Sequence, residues 1–249
     1  MAERPARRGH LFRKYVVSLV VLVSGAFALV FFYAPNDADQ GFIQKIFYLH
    51  VPLAIVALCG FVAGGVWGLR YLRDGERAHD LRSYVAIHIS LILGVGALVT
   101  GSIWAKAAWG HWWVWEEPTL VSFLIVFLLY ACYTPLRFSI EEPERQARTA
   151  AVFSIVAGAF VPLNFLAVRM AESFTHPRVL SQTGGSMPGD MRLTFLVALL
   201  GMAVLFVTLC KYELTSKQAS MQLRALKRRL ADDEDEWAPT GRSAAPQQL

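Results

Sequence analysis

The chain has 249 residues, 55% of them hydrophobic, and a formal net charge of +5, a composition outside the soluble globular range. Its apolar residues gather in runs long enough to cross a bilayer, so the basic balance reads as Lys and Arg held in cytoplasmic loops. Nucleic-acid binding is set aside, because no loop carries a basic stripe interleaved with aromatics.

A basic start (Arg4, Arg7, Arg8, Arg13, Lys14) leads into the first apolar run, 15–32. This run is longer than a signal-peptide core and has no clear small-residue cleavage site, so a retained helix is expected. Five more runs follow at 46–69, 84–103, 120–136, 150–170 and 193–210. Each has the roughly 17–25 residues that a helix needs to span hydrocarbon, and none alternates as a barrel strand does. Backbone groups in lipid must pair internally, so the expected fold is all-α, a polytopic six-helix membrane bundle. Its parts are an N-terminal arm, 1–14, a six-helix domain, 15–212, and a tail, 213–249. Nineteen of the 24 Lys and Arg fall in the N-terminal arm, the loops after helices 2 and 4, and the C-terminal stretch from Lys211 onward. That bias puts both termini in the cytoplasm, and the chain is expected in the inner membrane of a bacterial cell. The tail starts with a basic helical stretch, 217–230, which is either solvated or laid against anionic headgroups. An acidic, Pro/Ala/Gln-containing end follows and reads as disordered.

Cys59, Cys132 and Cys210 lie in or beside apolar runs at neither redox nor zinc spacing, and read as buried, inert side chains. With no Cys-x-x-Cys-His, the chain is not itself a c-type cytochrome.

The charge bias places three unusual features on the extracytoplasmic side. The first is the segment 104–120, which holds Trp104, Trp109, Trp112, Trp113 and Trp115, five of the chain's seven tryptophans. An interfacial aromatic belt is the plain explanation, but a belt spreads over several helix ends. If the segment is helical, Trp109, Trp112, Trp113 and Glu116 share a face at three-to-four spacing, a flat shelf suited to a planar aromatic ligand. The second feature is His50, about one turn inside helix 2, where an ionisable group is costly and becomes a functional candidate. The third is His176, just beyond helix 5 in Thr175-His176-Pro177. His10, His79 and His88 fall at or near the cytoplasmic side, and His111 carries no signal of its own. Imidazole suits iron, copper and zinc. Zinc wants three or four protein ligands, whereas haem brings four nitrogens and needs only two axial ligands. Two histidines beside a tryptophan platform therefore point to haem. Glu116 is also expected to cap the fourth helix, with Pro118 in its first turn, unless its carboxylate meets a partner instead.

The string Trp109-Gly110-His111-Trp112-Trp113-Val114-Trp115-Glu116 closely resembles the tryptophan-rich (WWD) signature of the haem-handling proteins of cytochrome c biogenesis. The Tyr48-Leu49-His50-Val51-Pro52 string looks like the start of helix 2 in the CcmC type, and His176-Pro177 falls where that family has its second external histidine. Six helices favour CcmC over the larger CcmF and CcsA types. The resemblance implies a haem exporter subunit or assembly factor rather than an enzyme. It implies non-covalent b-type haem held by His50 and His176 against Trp104, Trp109, Gly110, Trp112, Trp113, Trp115 and Glu116. Arg178 or Lys106 would pair with propionates. The implied partners are a periplasmic haem chaperone of the CcmE type, ABC transporter subunits of the CcmA and CcmB types, and a small CcmD-type membrane protein. The sequence departs from the family pattern in having Glu116 where Asp is usual, and Glu117-Pro118-Thr119-Leu120 where an Arg-Leu-Thr pattern follows. A membrane redox protein exchanging electrons with quinone is the alternative.

Overall fold

A computed structural model describes the backbone of residues 5–171, 176 and 187–237, and the side chains of 12–171, 176 and 187–231. Its helices are α1 (Pro5–Ala28), α2 (Phe47–Asp74), α3 (Arg77–Trp109), α4 (Pro118–Ala131), α5 (Tyr133–Phe138), α6 (Pro143–Met170) and α7 (Gly189–Trp237). A π-helical turn, Leu29–Tyr33, ends α1, and a 3-10 turn, Phe42–Ile46, leads into α2. Six segments are long and apolar enough to cross a membrane: Phe12–Tyr33, Phe42–Asp74, Arg77–Trp109, Pro118–Phe138, Pro143–Met170 and Gly189–Ala231. The chain is a multi-pass, all-α membrane protein. Several helices run past the apolar runs that announce them, because polar residues such as Arg77 and Asp80 carry the helix on beyond the hydrocarbon.

The chain divides into two units, 1–210 and 211–249. Within the first, α2 packs most extensively against α3 and α6, and small residues make that closeness possible. Gly60, Gly64 and Gly68 recur at four-residue spacing on α2, so one stripe of the helix carries no side chains. A Cβ on the neighbouring Gly65 would meet the carbonyl oxygen of Ser154 at 2.7 Å, so the α2–α6 contact is backbone against backbone. Phe61 stacks on Tyr130 at 3.9 Å between centroids, and the tyrosine hydroxyl donates to the Phe61 carbonyl at 3.2 Å. A second apolar cluster joins Phe47, Tyr48 and Trp104 to Phe195 and Ala198 of α7, closing the other side of α2.

Two irregularities sit near the start of α2. Pro52 lies inside the helix and has no N–H, so the Tyr48 carbonyl one turn earlier loses its helical donor. The π-helical turn ending α1 is fastened by Lys45, whose ammonium donates to the carbonyls of Val30 at 2.7 Å and Ala34 at 3.1 Å.

The expected burial of the cysteines is corrected. Cys59 and Cys132 are exposed on the bundle's outer surface and Cys210 is intermediate. An apolar residue in a span is equally at home facing lipid or protein, so apolar context alone does not imply burial inside the bundle.

In the second unit the helical backbone continues through the acidic run to Trp237, where the sequence suggests helix only to residue 230. Lys217 pairs with Glu213 at 3.4 Å within this unit.

Candidate functional site

At one end of the bundle, the start of α2, the end of α3, the start of α4 and the end of α6 surround a cavity of about 230 Å³. His50, Trp104, Trp109, Trp113, Asn164, Arg169 and His176 are among its lining residues, with apolar side chains such as Phe123 and Val161 between them.

His50 comes from α2 and is half-buried. Its Nδ1 lies 3.0 Å from the Ala97 carbonyl and 3.2 Å from the Thr100 hydroxyl oxygen. A carbonyl can only accept, so Nδ1 carries the ring proton and Nε2 keeps its lone pair. That is the tautomer in which histidine acts as a metal ligand through Nε2, with the other nitrogen held by a backbone acceptor. Thr100 is fixed in turn by donating to the Gly96 carbonyl at 2.7 Å.

Trp104 links the two histidines. Its ring is 5.9 Å from the His50 ring and 6.5 Å from the His176 ring, edge-on in both cases. Trp104 is buried, and its indole N–H donates to Gln40 at 2.8 Å, which fixes the ring plane. Trp109 makes a further edge contact with His176 at 6.3 Å. Trp113 rests against Trp115 at 5.9 Å, and its buried indole N–H has no acceptor among the described residues.

The sequence of residues 6–229 matches the profile of the family described as CcmC, heme exporter protein C. A protein of that name from Rhodobacter capsulatus is 30% identical over 223 residues, covering 89% of this chain and 92% of the relative. Heme exporter protein C of Paracoccus denitrificans is 32% identical over 197 residues, 78% of this chain and 81% of the relative. That of Bradyrhizobium diazoefficiens is 32% identical over 197 residues, 79% of this chain and 72% of the relative. The chain belongs to the CcmC family.

Within this CcmC fold, the tryptophan signature does not form a helical shelf. Gly110 takes a left-handed conformation, φ 79°, and ends α3 with its N–H on the Lys106 carbonyl at 3.1 Å. Only glycine adopts that geometry without strain, and the chain then runs irregularly to Glu117. Trp104, Trp109 and Trp113 therefore face the cavity, while Trp112 and Trp115, 59% and 68% exposed, are absent from its lining. Gly110 serves the turn rather than the lining. Lys106, offered by the sequence as a propionate partner, instead donates to the Gly110 carbonyl at 2.8 Å. Arg178 lies outside the described residues. His111 is exposed, His79 pairs with Asp74 at 2.8 Å, and His88 stacks on Tyr84 at 5.8 Å.

Glu116 is not the cap of α4. It is exposed, and the residue at the N-cap position is Glu117, with Pro118 next to it in the first turn. Glu117 makes no side-chain capping bond. It is fully buried, and its Oε2 accepts the backbone N–H of His176 at 3.2 Å. Sequence reasoning passed over Glu117 as a mere departure from the family pattern. It also passed over Asn164 and Arg169, although polar groups inside a span are rare enough to have drawn attention. The guanidinium of Arg169 lies 5.0 Å from the Phe165 ring centre, within the lining.

Proposed function

We propose that this protein binds haem as transported cargo at the Trp-lined cavity and presents it for the biogenesis of c-type cytochromes. His50 and His176 would supply the two axial nitrogens, and the haem would be held without a covalent bond. The observation that carries this reading is the convergence of two imidazoles from separate parts of the chain on one cavity, both against Trp104. The residues suit the cargo: His50 is held in the metal-binding tautomer, indole rings offer flat apolar surface for a porphyrin, and Arg169 offers a planar cation for a propionate. The indole N–H of Trp113, without an acceptor among the described residues, is a further donor for an anionic group.

The cavity's size favours presentation over storage. Pockets that engulf a ligand of drug size occupy about 300–1,000 Å³, and this one has about 230 Å³. A porphyrin seated here would keep one edge outside the protein, within reach of an acceptor. Trp112, Trp115 and Glu116 are exposed and flank the lining residue Trp113 along the chain, and they would form the docking rim. With nineteen of 24 basic residues assigned to the opposite side, the rim faces outward from the cytoplasm. The acceptor is then a periplasmic haem chaperone of the CcmE type. The relatives' name, heme exporter protein C, fits one component of an exporter, and the ABC subunits of the CcmA and CcmB types and the CcmD-type partner implied by the family resemblance belong to the same proposal.

The quinone-linked redox alternative calls for a second ligand pair across the bilayer. His79 and His88, at the other end, lie nine residues apart on the same helix, about 13 Å along its axis, too far to share one iron. The test is an optical spectrum of the purified protein, oxidised and reduced. A six-coordinate low-spin haem that loses this signature in His50→Ala and in His176→Ala is expected. A spectrum indifferent to both substitutions overturns the assignment.

A further inference from the structure

We propose that Glu117 is a positioning residue that ties the His176 backbone to the start of α4 and so holds the second imidazole at the cavity. The proposal rests on the haem reading and adds a residue to it.

Glu117 is 0% exposed, in a chain whose other buried carboxylate among the described residues, Asp80, is paired with Arg137. A buried ionisable group in a membrane bundle is costly and persists only where a partner or a function compensates. Capping does not account for it. Glu117 stands at the N-cap position, φ −85° and ψ 109°, yet its carboxylate makes no bond to the first turn of α4. The carboxylate turns instead to a residue 59 positions later, taking the His176 N–H at 3.2 Å. A carboxylate has room for several donors, so further bonds there would strengthen the same tie. Pro118 fixes φ at the first residue of α4 and restricts Glu117 to extended backbone, which keeps the carboxylate's starting point constant. The link therefore runs from a rigid helix start, through a buried carboxylate, to the main chain of the candidate ligand. Supports of this kind, which orient a ligand without touching the metal, typically change affinity by 10–100-fold when removed.

The experiment uses the full chain in lipid nanodiscs, titrated with ferric haem, as the parent and as Glu117→Gln, Glu117→Leu and His176→Ala. Gln keeps a carbonyl acceptor, and Leu fills the volume without one. Glu117→Leu should show the spectral change of His176→Ala, with added imidazole restoring the six-coordinate form in both. Glu117→Gln should stay close to the parent. In the haem-free parent, the His176 amide should exchange with deuterium at least about tenfold more slowly than an unprotected amide. This last measurement needs no variant, so it stands even if Glu117→Leu fails to accumulate. A parental spectrum in Glu117→Leu alongside an altered one in His176→Ala overturns the positioning role and leaves the haem site intact, as does a fully unprotected His176 amide. A His176→Ala spectrum identical to the parent's removes the haem reading itself, and the proposal with it.

Discussion

The two ends of the bundle handle buried polarity in opposite ways. At the end away from the tryptophans, Arg137 forms a two-pronged bond to Asp80 at 2.7 and 2.6 Å, and also donates to the Tyr133 hydroxyl at 3.2 Å. The Tyr84 ring lies beneath its guanidinium at 5.3 Å, and nearby Ser83 donates to the Gly64 carbonyl at 2.8 Å. Each of these charges and hydroxyls is used up within the protein. At the tryptophan end, among the described residues, His50 is fastened through Nδ1 alone, Trp113 keeps a buried indole donor without an acceptor, and the groups face a cavity. Burial of polar groups thus marks a lock at one end and, on the proposed haem reading, a ligand site at the other. The open or closed state of the ligating atoms separates the two.

The largest effect expected from this contrast is at the histidines. His50→Ala and His176→Ala should accumulate in the membrane, because insertion depends on apolar length that one residue barely alters. Maturation of c-type cytochromes should nevertheless fall to background in a haem-stained gel. Normal cytochrome levels in both would break the comparison at its functional end.

Asp80→Ala should do the reverse. Leaving the Arg137 guanidinium buried without its carboxylate is expected to cost about 3–5 kcal/mol, read as a lower unfolding midpoint. The haem spectrum of whatever protein remains folded should be unchanged. A spectral change with stability intact would place the functional site, or a coupling to it, at the wrong end.

A smaller and more local effect is expected at Gly101. A Cβ there would stand 2.7 Å from His50 Cε1, and the ring cannot simply swing aside while Nδ1 is held by Ala97 and Thr100. Gly101→Ala should therefore weaken haem affinity by about tenfold, the scale of lost ligand orientation, while thermal stability changes little. Equal affinity in the variant and the parent would show that His50 tolerates a second ring position.

How much of this was legible in the sequence follows from which forces act locally. The six spans were readable because hydrocarbon thickness imposes a length that composition reports directly. His50 and His176 stood out because an imidazole near apolar runs is rare. The tryptophan segment was legible as a cluster but not as a shape. Its helical reading required all residues from 104 to 116 to share one periodicity, whereas Gly110 breaks the helix after Trp109. Glu117 was illegible for a different reason. Its partner lies 59 residues away, and nothing in the local pattern Glu116-Glu117-Pro118 tells which acid faces inward. The cysteines fail in the same manner, since lipid-facing and core-facing positions have the same apolar context.

The smallest expected effect concerns the neighbouring acid, and it separates the two glutamates. Glu116 is exposed and one residue short of the N-cap, so it contributes no capping bond whose loss would loosen α4. Substitution of an exposed residue away from caps and cores usually changes stability by less than about 0.5 kcal/mol. Glu116→Ala should therefore unfold at the same temperature as the parent, and Glu116→Asp likewise. Haem titration should also be unaltered, because the carboxylate lies off the cavity lining. On the proposed reading, what remains for Glu116 is the rim with Trp112 and Trp115, where a surface carboxylate would act on the rate and orientation of partner docking more than on the stability of its own fold. Transfer of haem to a purified periplasmic chaperone should then slow in Glu116→Ala, and slow less at high salt, where screening has already removed the parent's advantage. A drop of more than about 1 kcal/mol in stability would restore the capping role and would mean that the bond at Glu117 does not divide the two acids as their burial does.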